Sequence, residues 1–324
     1  MRLDLVIPTH NRAALLERTL ASVLNAEAAD GLEVRIVVVD NASRDRTAEV
    51  VREHQPRFGG RLAYLYEGRP GKSHALNAAI RASDADLVGM IDDDEELDRG
   101  WFLEVARAFA EGGEGLDFIG GPYVPRWGAE PPRWLPPDYQ AVVGWVDGGR
   151  EVRDFDASFG GTLMGGNAVV RRRTLERVGL YRPELGPAGD RRLLSCEDEE
   201  MHERLLAAGA RGQYRPGLVI RHYVPPERLT RAYHRRWVFW HGVSAGVMDR
   251  LRPPQRIAYV AGVPRYMIGD LARGVARVLR GGGRRWFSEE LRLRDFAGFL
   301  YGKFLYRPPA ALADALAGPA ARTG

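Results

Sequence analysis

An apolar run, Gly89-Met90-Ile91, leads directly into Asp92-Asp93-Asp94. Adjacent carboxylates repel one another and are cheap only when solvated or neutralised by a cation. On an extended segment residues i and i+2 point the same way, so Asp92 and Asp94 can address one object, with Asp93 turned to the far side of the strand. Hard oxygen ligands suit Mg²⁺ or Mn²⁺, and an ion held there can bridge a diphosphate. The competing reading is an acidic turn that Glu95-Glu96 carries on into solvent. Position favours the ion, because the run stands at the carboxyl end of a buried-strand pattern.

Other residues leave two readings open. Glu197-Asp198 sit at the start of a helix, where a carboxylate stays ionised as a general base must; first-turn acids are also ordinary helix features. His222 follows the apolar run Gly217–Ile220 and Arg221. It is either a core histidine or a metal or phosphate contact. Gly71-Lys72-Ser73 opens a helix with Ser73 as its expected N-cap, and such a helix start can hold a phosphate. Only Lys72 and Lys303 are lysines, against 45 arginines, so Lys72 marks a place that wants a compact point charge. No G-x-G-x-x-G follows a strand and no G-x-x-x-x-G-K-[ST] occurs, which disfavours a dinucleotide dehydrogenase and a P-loop NTPase.

The elements that must position these residues alternate. Leu3–Pro8, Val34–Val39, Leu62–Tyr66, Leu87–Ile91 and Phe118–Gly120 read as strands. Helical spacing covers Arg12–Asn25, Thr47–His54, Ser73–Arg81 and Trp101–Ala110. Strand and helix in alternation imply an open α/β sheet, whose ligands lie outside the carboxyl ends of the strands. Four such ends then converge: Pro8–Asn11, Asp40–Ser43, Glu67-Gly68 and Asp92–Asp94.

Residues 122–162, rich in Pro, Gly and Trp, read as an excursion over the sheet. Trp127, Trp134 and Trp145 either stack on sugar rings or anchor the loop. Helices are expected again over Thr174–Val178 and Glu199–Ala208, stopped by Gly209. Further on, residues 226–247, Pro264–Arg280 and Trp286–Tyr306 read as helical. Pro264–Arg280 is basic and amphipathic, with Met267, Ile268, Leu271, Val275, Val278 and Leu279 on one side, and Gly281-Gly282-Gly283 ends it.

The 324 residues, 45% hydrophobic and 28% charged, suit a globular protein of one large or two modest domains. One cysteine, Cys196, excludes an intrachain disulfide and fits a reducing compartment. The first residues lack a signal-peptide pattern and no apolar run is long enough to span a bilayer. The net charge of +4 conceals an asymmetry: residues 1–220 hold 28 basic and 36 acidic side chains, and residues 221–324 hold 19 and 7. The basic end suits an anionic partner such as a membrane surface, or is simply a solvated face in an arginine-rich chain.

Together the motifs resemble glycosyltransferase family 2, with the GT-A fold. The resemblance rests on VIPTHNR, VVVDNASRDRT, GKSHALNAAI, IDDDEE, GGNAVVRR and CEDEEMHERLLAAG, in that order. It implies an open, mostly parallel sheet flanked by helices over residues 1–224, with a donor half (1–121) and an acceptor half (122–224). A basic helical extension follows over 225–324. It also implies roles. Pro8, Thr9, Asn11 and Arg12 would line the nucleotide, Asp40 its base, Lys72 the base or phosphates and Asp92 the ribose. Asp94 and His222 would hold Mn²⁺ or Mg²⁺. Asp198 would be the catalytic base, with Glu197, Gly165, Gly166, Asn167, Arg236 and Trp237 toward the acceptor. Tyr233 stands where processive members carry Gln in a QxxRW motif, so polymer synthesis is not expected. The implied function is inverting transfer of a sugar from a nucleotide diphosphate-sugar, UDP-sugar favoured, to a glycan or lipid-linked acceptor in bacterial glycan or glycolipid synthesis. It would take place in the cytoplasm or at the inner membrane face, without nucleic acid. The alternatives are a sugar nucleotidyltransferase and a catalytically dead membrane-surface scaffold.

Overall fold

The computed structural model describes residues 1–186, 193–251, 258–279 and 286–307. It divides into two compact units. The first comprises Met1–Arg126, Gly144–Pro183 and Glu197–Tyr223; the second comprises Trp127–Val143, Glu184–Cys196 and Val224 onward.

The first unit is an α/β layer structure. Strands β1 (Arg2–Thr9), β2 (Glu33–Asp40), β3 (Leu62–Tyr66) and β4 (Leu87–Ile91) alternate with helices α1 (Ala13–Asn25), α2 (Thr47–His54) and α3 (Lys72–Ala82). The four strands pair in parallel in the order β3-β2-β1-β4. Runs such as Ile36–Val39 are apolar on both faces because helices cover both sides of the sheet. Register brings the carboxyl ends together: Thr9 lies opposite Asp40, and Asp40 opposite Tyr66. The convergence expected from sequence is therefore present.

Beyond β4 the chain forms β5 (Glu95–Leu97), α4 (Trp101–Gly112), β6 (Phe118–Gly120), β7 (Tyr123–Trp127), β8 (Arg153–Asp154), β9 (Asn167–Arg171), α5 (Arg172–Val178), α6 (Glu197–Ala207), β10 (Gly212–Tyr214) and β11 (Ile220–Val224). β9 inserts antiparallel between β4 and β6, and β10 and β8 complete an eight-stranded, mostly parallel sheet. A second, three-stranded sheet runs β5-β11-β7 and sets His222 opposite Glu95. The competing reading of Glu95-Glu96 as an acidic turn running on into solvent therefore fails: the segment is a strand. Period-two alternation puts Glu95 on the same face as Leu97, and both are buried.

Two helix starts also differ from expectation. Ser73 does not cap α3, which begins one residue earlier at Lys72. The entry is made by Gly71 at φ +127, a conformation that favours glycine, and the Gly71 N–H donates to Asn41 Oδ1 at 2.7 Å. Helix α6 starts at Glu197, two residues early, so that Glu197 and Asp198 occupy its first turn. Gly209, at φ +70, follows its end as anticipated.

The second unit holds α7 (Arg231–Leu251), a short hairpin of β12 (Tyr259–Val260) and β13 (Val263–Pro264), α8 (Arg265–Leu279) and α9 (Trp286–Leu300), which continues as a π-turn over Tyr301–Leu305. α7 runs four residues past its expected end, and the hairpin was not anticipated. Arg280 and the Gly281-Gly282-Gly283 stop lie outside the described residues. α7 and α9 meet through glycine. A Cβ added at Gly242 would sit 2.0 Å from the Asp295 carbonyl oxygen, at Gly246 2.3 Å from Phe299 O, at Gly298 2.1 Å from Phe239 O and at Gly302 2.2 Å from Val243 O. Two G-x-x-x-G pairs thus bring the helix backbones into direct contact. Trp134 packs edge-on to His234 and Phe287 (ring centroids 5.1 and 5.2 Å), so this tryptophan is an anchor.

Candidate active site

The site is built on the converging strand ends of the first unit. Asn11 and Ala42 adopt positive φ (54° and 58°) where the chain turns back after β1 and β2. Asn11 ties the two turns together: its N–H donates to Ser43 Oγ (2.9 Å) and its Oδ1 accepts from the Arg44 N–H (2.7 Å). Asp40 is buried, accepting from the Ser43 N–H (2.8 Å) and Tyr64 Oη (2.6 Å). Asn41 binds the loop before α3 by donating to the carbonyls of Glu67 (3.1 Å) and Arg69 (2.7 Å). That loop delivers Lys72.

The three aspartates diverge. Asp92 pairs with Lys72, its Oδ1 2.7 Å from Nζ. Asp93 faces the opposite way, as expected, but into protein. It accepts from Thr9 Oγ1 (2.7 Å) and Arg12 (2.9 Å), and burial pushes its carboxyl up to about 6 against the pull of Arg12. Arg12 also reaches Asp94 Oδ2 at 3.1 Å. Burial depresses this guanidinium, but Asp93 and Asp94 outweigh that and hold it above its ordinary value.

Asp92, Asp94 and Glu95 each present an oxygen within 4.8 Å of the others. His222 Nε2 lies 3.9 Å from Asp94 Oδ2, and its ring fills the space where Gly144, at φ +61, lacks a Cβ. Glu95 is 1% exposed and accepts from the Asp92 N–H at 2.6 Å. Burial first, then Asp92 and Asp94, hold its carboxyl well above the usual range. Oxygen donors crowded this closely out of solvent fit a hard divalent cation, which relieves both the desolvation and the repulsion. Sequence reasoning missed Glu95. The signal was the alternation of Glu95-Glu96-Leu97, which places Glu95 with a core leucine.

Glu197 and Asp198 approach from α6. Glu197 is buried, and burial followed by Asp198 raises its carboxyl. Asp198 is also raised by burial, opposed by Lys72 and by a hydrogen bond from the Gly165 backbone. Lys72 stands between the two acidic groups. Burial pulls its ammonium down, yet Asp92, Asp198 and Glu197 together hold it well above the ordinary value. Tyr123, buried, is raised by burial and then by Glu95, Asp92 and Asp198, which puts its phenol on the same cluster; sequence reasoning missed it too.

The glycines before β9 make room for this group. A Cβ at Gly165 would fall 2.1 Å from Asp198 Oδ1, and one at Gly166 2.5 Å from Glu95 Oε1 and 3.0 Å from Asp92 Oδ2. Asn167 is fully buried and committed to protein: it donates to Leu218 O (2.7 Å) and Pro122 O (3.2 Å) and accepts from Trp101 Nε1 (3.0 Å). It braces β9. Pro8 is buried within β1, paired in register with Val39. Arg236 and Trp237 lie on α7 in the second unit, where the Trp237 ring stacks on His241 with centroids 5.3 Å apart.

Two cavities open in the first unit. One, of about 330 Å³, is lined by Arg153, Phe155, Phe159, Thr162 and Met164. The other, of about 420 Å³, is lined by Tyr123, Trp145 and Arg150; both share Val146, Asp147 and Tyr214.

An open α/β sheet with an acidic cluster and a lysine at its strand ends is the arrangement expected of a GT-A type glycosyltransferase fold. The sequence profile for glycosyl transferase family 2 matches residues 4–179, over half of the chain, and the protein belongs to that family. It is 25% identical over 260 residues to a glucosyl-dolichyl phosphate glucuronosyltransferase of Haloferax volcanii, covering 78% of this chain and 79% of that protein. Among solved structures it is similar to a mannosyltransferase of Pyrobaculum calidifontis in complex with GDP-Man and Mn²⁺ (TM-score 0.59, 20% identity, 93% of this chain and 88% of that one). It is also similar to TarS residues 1–349 of S. aureus in complex with UDP-GlcNAc (TM-score 0.55, 17% identity, 79% and 68%).

Proposed function

We propose that this glycosyltransferase is inverting and metal-dependent, moving a hexose-type sugar from a nucleotide diphosphate, UDP favoured, to a hydroxyl of a glycan or lipid-linked acceptor in cell-envelope synthesis. The observation that carries this reading is the single lysine set between two acidic groups, Asp92 at the end of β4 and Asp198 at the start of α6, with the Gly165 backbone packed directly against the Asp198 carboxylate.

Asp92, Asp94, Glu95 and His222 would hold Mn²⁺ or Mg²⁺. Such an ion, when bound, supplies positive charge to the departing diphosphate. The chain does the rest. Asn11 and Arg12 stand at the β1 turn and Asp40 at the end of β2, where the nucleotide would lie. Lys72 supplies a second cation near the leaving group. Asp198 would take the proton from the acceptor hydroxyl, which attacks the anomeric carbon from the face opposite the leaving group. An α-linked donor would then give a β-linked product. The cavities walled by Phe155, Phe159, Tyr214 and Trp145 would receive the acceptor, with aromatic faces against sugar rings. The Haloferax relative's name specifies a dolichyl phosphate-linked sugar, which supports a lipid-linked acceptor.

Asp198→Asn tests the reading. Transfer should fall about a hundredfold or more, with Mn²⁺-dependent binding of the nucleotide sugar unchanged. Turnover near that of the wild type would remove Asp198 as the base.

A further inference from the structure

Large hydrophobic side chains are seldom left in water in a group. Among the described residues five are more than half exposed: Tyr66, Val260, Tyr266, Phe304 and Leu305. Four of the five belong to one neighbourhood of the second unit. Val260 stands at the tip of the β12–β13 hairpin, where Ala261 (φ +49) and Gly262 (φ +76) reverse the chain. The hairpin lies against the π-turn that ends α9: a Cβ on Gly262 would touch the Phe304 ring at 3.2 Å, and Lys303 Nζ sits 4.8 Å from the centre of the Tyr259 ring. Tyr266 follows directly, in the first turn of α8. The result is a knuckle of Val260, Tyr266, Phe304 and Leu305.

Among the described residues its exposed, unpaired charge is positive. Asp249, the nearby acid, is already engaged by Lys303 and by Tyr259 Oη (2.8 Å). Asp270 on α8 pairs with Arg273. Arg265 and Arg307 are exposed at the edges, and residues 221–324 carry 19 basic against 7 acidic side chains. Exposed aliphatic and aromatic tips ringed by arginine and tyrosine match the headgroup region of an anionic bilayer, where tyrosine settles at the boundary and arginine meets lipid phosphate. Sequence periodicity pointed instead to the apolar side of α8. Met267 and Leu271 on that side are partly covered, Ile268 and Val275 more exposed.

We infer that the hairpin tip and the π-turn after α9 form a membrane-docking knuckle, which inserts Val260, Phe304 and Leu305 between the headgroups of an anionic bilayer. This gives the lipid-linked reading of the acceptor a physical location, and its test needs neither donor nor acceptor. The full chain is sedimented with vesicles of phosphatidylcholine alone or mixed with phosphatidylglycerol, at low and high salt. Binding is expected to the anionic vesicles and to weaken with salt. Phe304→Ser with Leu305→Ser should lower the partition coefficient about tenfold or more, since each side chain forfeits its apolar burial. Leu103→Ser, an exposed leucine of the first unit, should leave it unchanged, and matching thermal melts will show that all variants fold. Failure of the wild type to bind anionic vesicles overturns the inference. So does equal binding by the double variant, or a wild-type dimer in sedimentation equilibrium that the double variant abolishes, which would assign the knuckle to self-association. Vesicle binding without transferase activity would leave the knuckle standing and count against the catalytic reading alone.

Discussion

Gly165 and Gly166 are neighbours, yet a methyl group on each would meet a different part of the site. On Gly165 its nearest neighbours would be the atoms of the Asp198 carboxylate, and on Gly166 those of Glu95 and Asp92. Gly165→Ala is therefore expected to reduce transfer about a hundredfold while Mn²⁺ binding, read by isothermal titration, stays intact. Gly166→Ala should weaken Mn²⁺ binding itself. Equal Mn²⁺ affinity in the two variants would show that the glycines do not divide the site in this way. His202 supports a prediction about pH. It packs edge-on against the stacked rings of Phe118 and Phe155, its Nε2 has no hydrogen-bond partner, and burial lowers it to about 4. The unfolded chain takes up a proton near pH 6.5 that the folded chain refuses until about pH 4. Stability is therefore full above 6.5 and falls as pH drops toward 4, by about 3 kcal/mol in all. His202→Leu should flatten that acid limb in urea titrations. The aspartates and Lys72 were legible because they follow strand and turn signals. Glu95 was not, because an extended segment pairs Asp92 with Asp94 on one face and gives no sign that the chain turns to bring Glu95 back to them. His202 gave no signal at all: its burial depends on β6 and the Phe155 loop, far off in sequence.

The helix pair α7–α9 is held by shape more than by side-chain burial. Gly242 and Gly246 on α7, and Gly298 and Gly302 on α9 and its π-turn, each face a carbonyl of the other helix. No rotamer change can make room there, because the obstacle is backbone. Gly246→Val or Gly298→Val should each cost about 3 kcal/mol, seen as a lower denaturant midpoint. A midpoint unchanged in both variants would mean that the helices can slide apart at no cost. Strands β1 to β4 and helices α1 to α4 were readable from periodicity and from apolar runs of sufficient length. The short strands after β4 were harder, because pieces of two or three residues carry no period. The glycine pairs were present in the sequence at the right spacing, but nothing local distinguishes a glycine that admits a neighbour from one that merely turns the chain.

At the scale of the whole molecule, charge is divided along the chain, with acidic residues concentrated before residue 220 and basic ones after it. Composition showed that division plainly. What composition could not show is that residues 127–143, 184–186 and 193–196, from the middle of the chain, belong with the C-terminal helices. The scarcity of lysine has a practical consequence. Lys72 lies in the acidic site of the first unit and Lys303 beside the exposed knuckle of the second, and there is no third lysine. Reductive methylation with carbon-13 formaldehyde would thus add one methyl resonance pair to each unit, besides that of the amino terminus. Manganese at the acidic cluster should broaden the Lys72 signal, and vesicles should broaden the Lys303 signal, so that one labelled sample reports separately on the two surfaces.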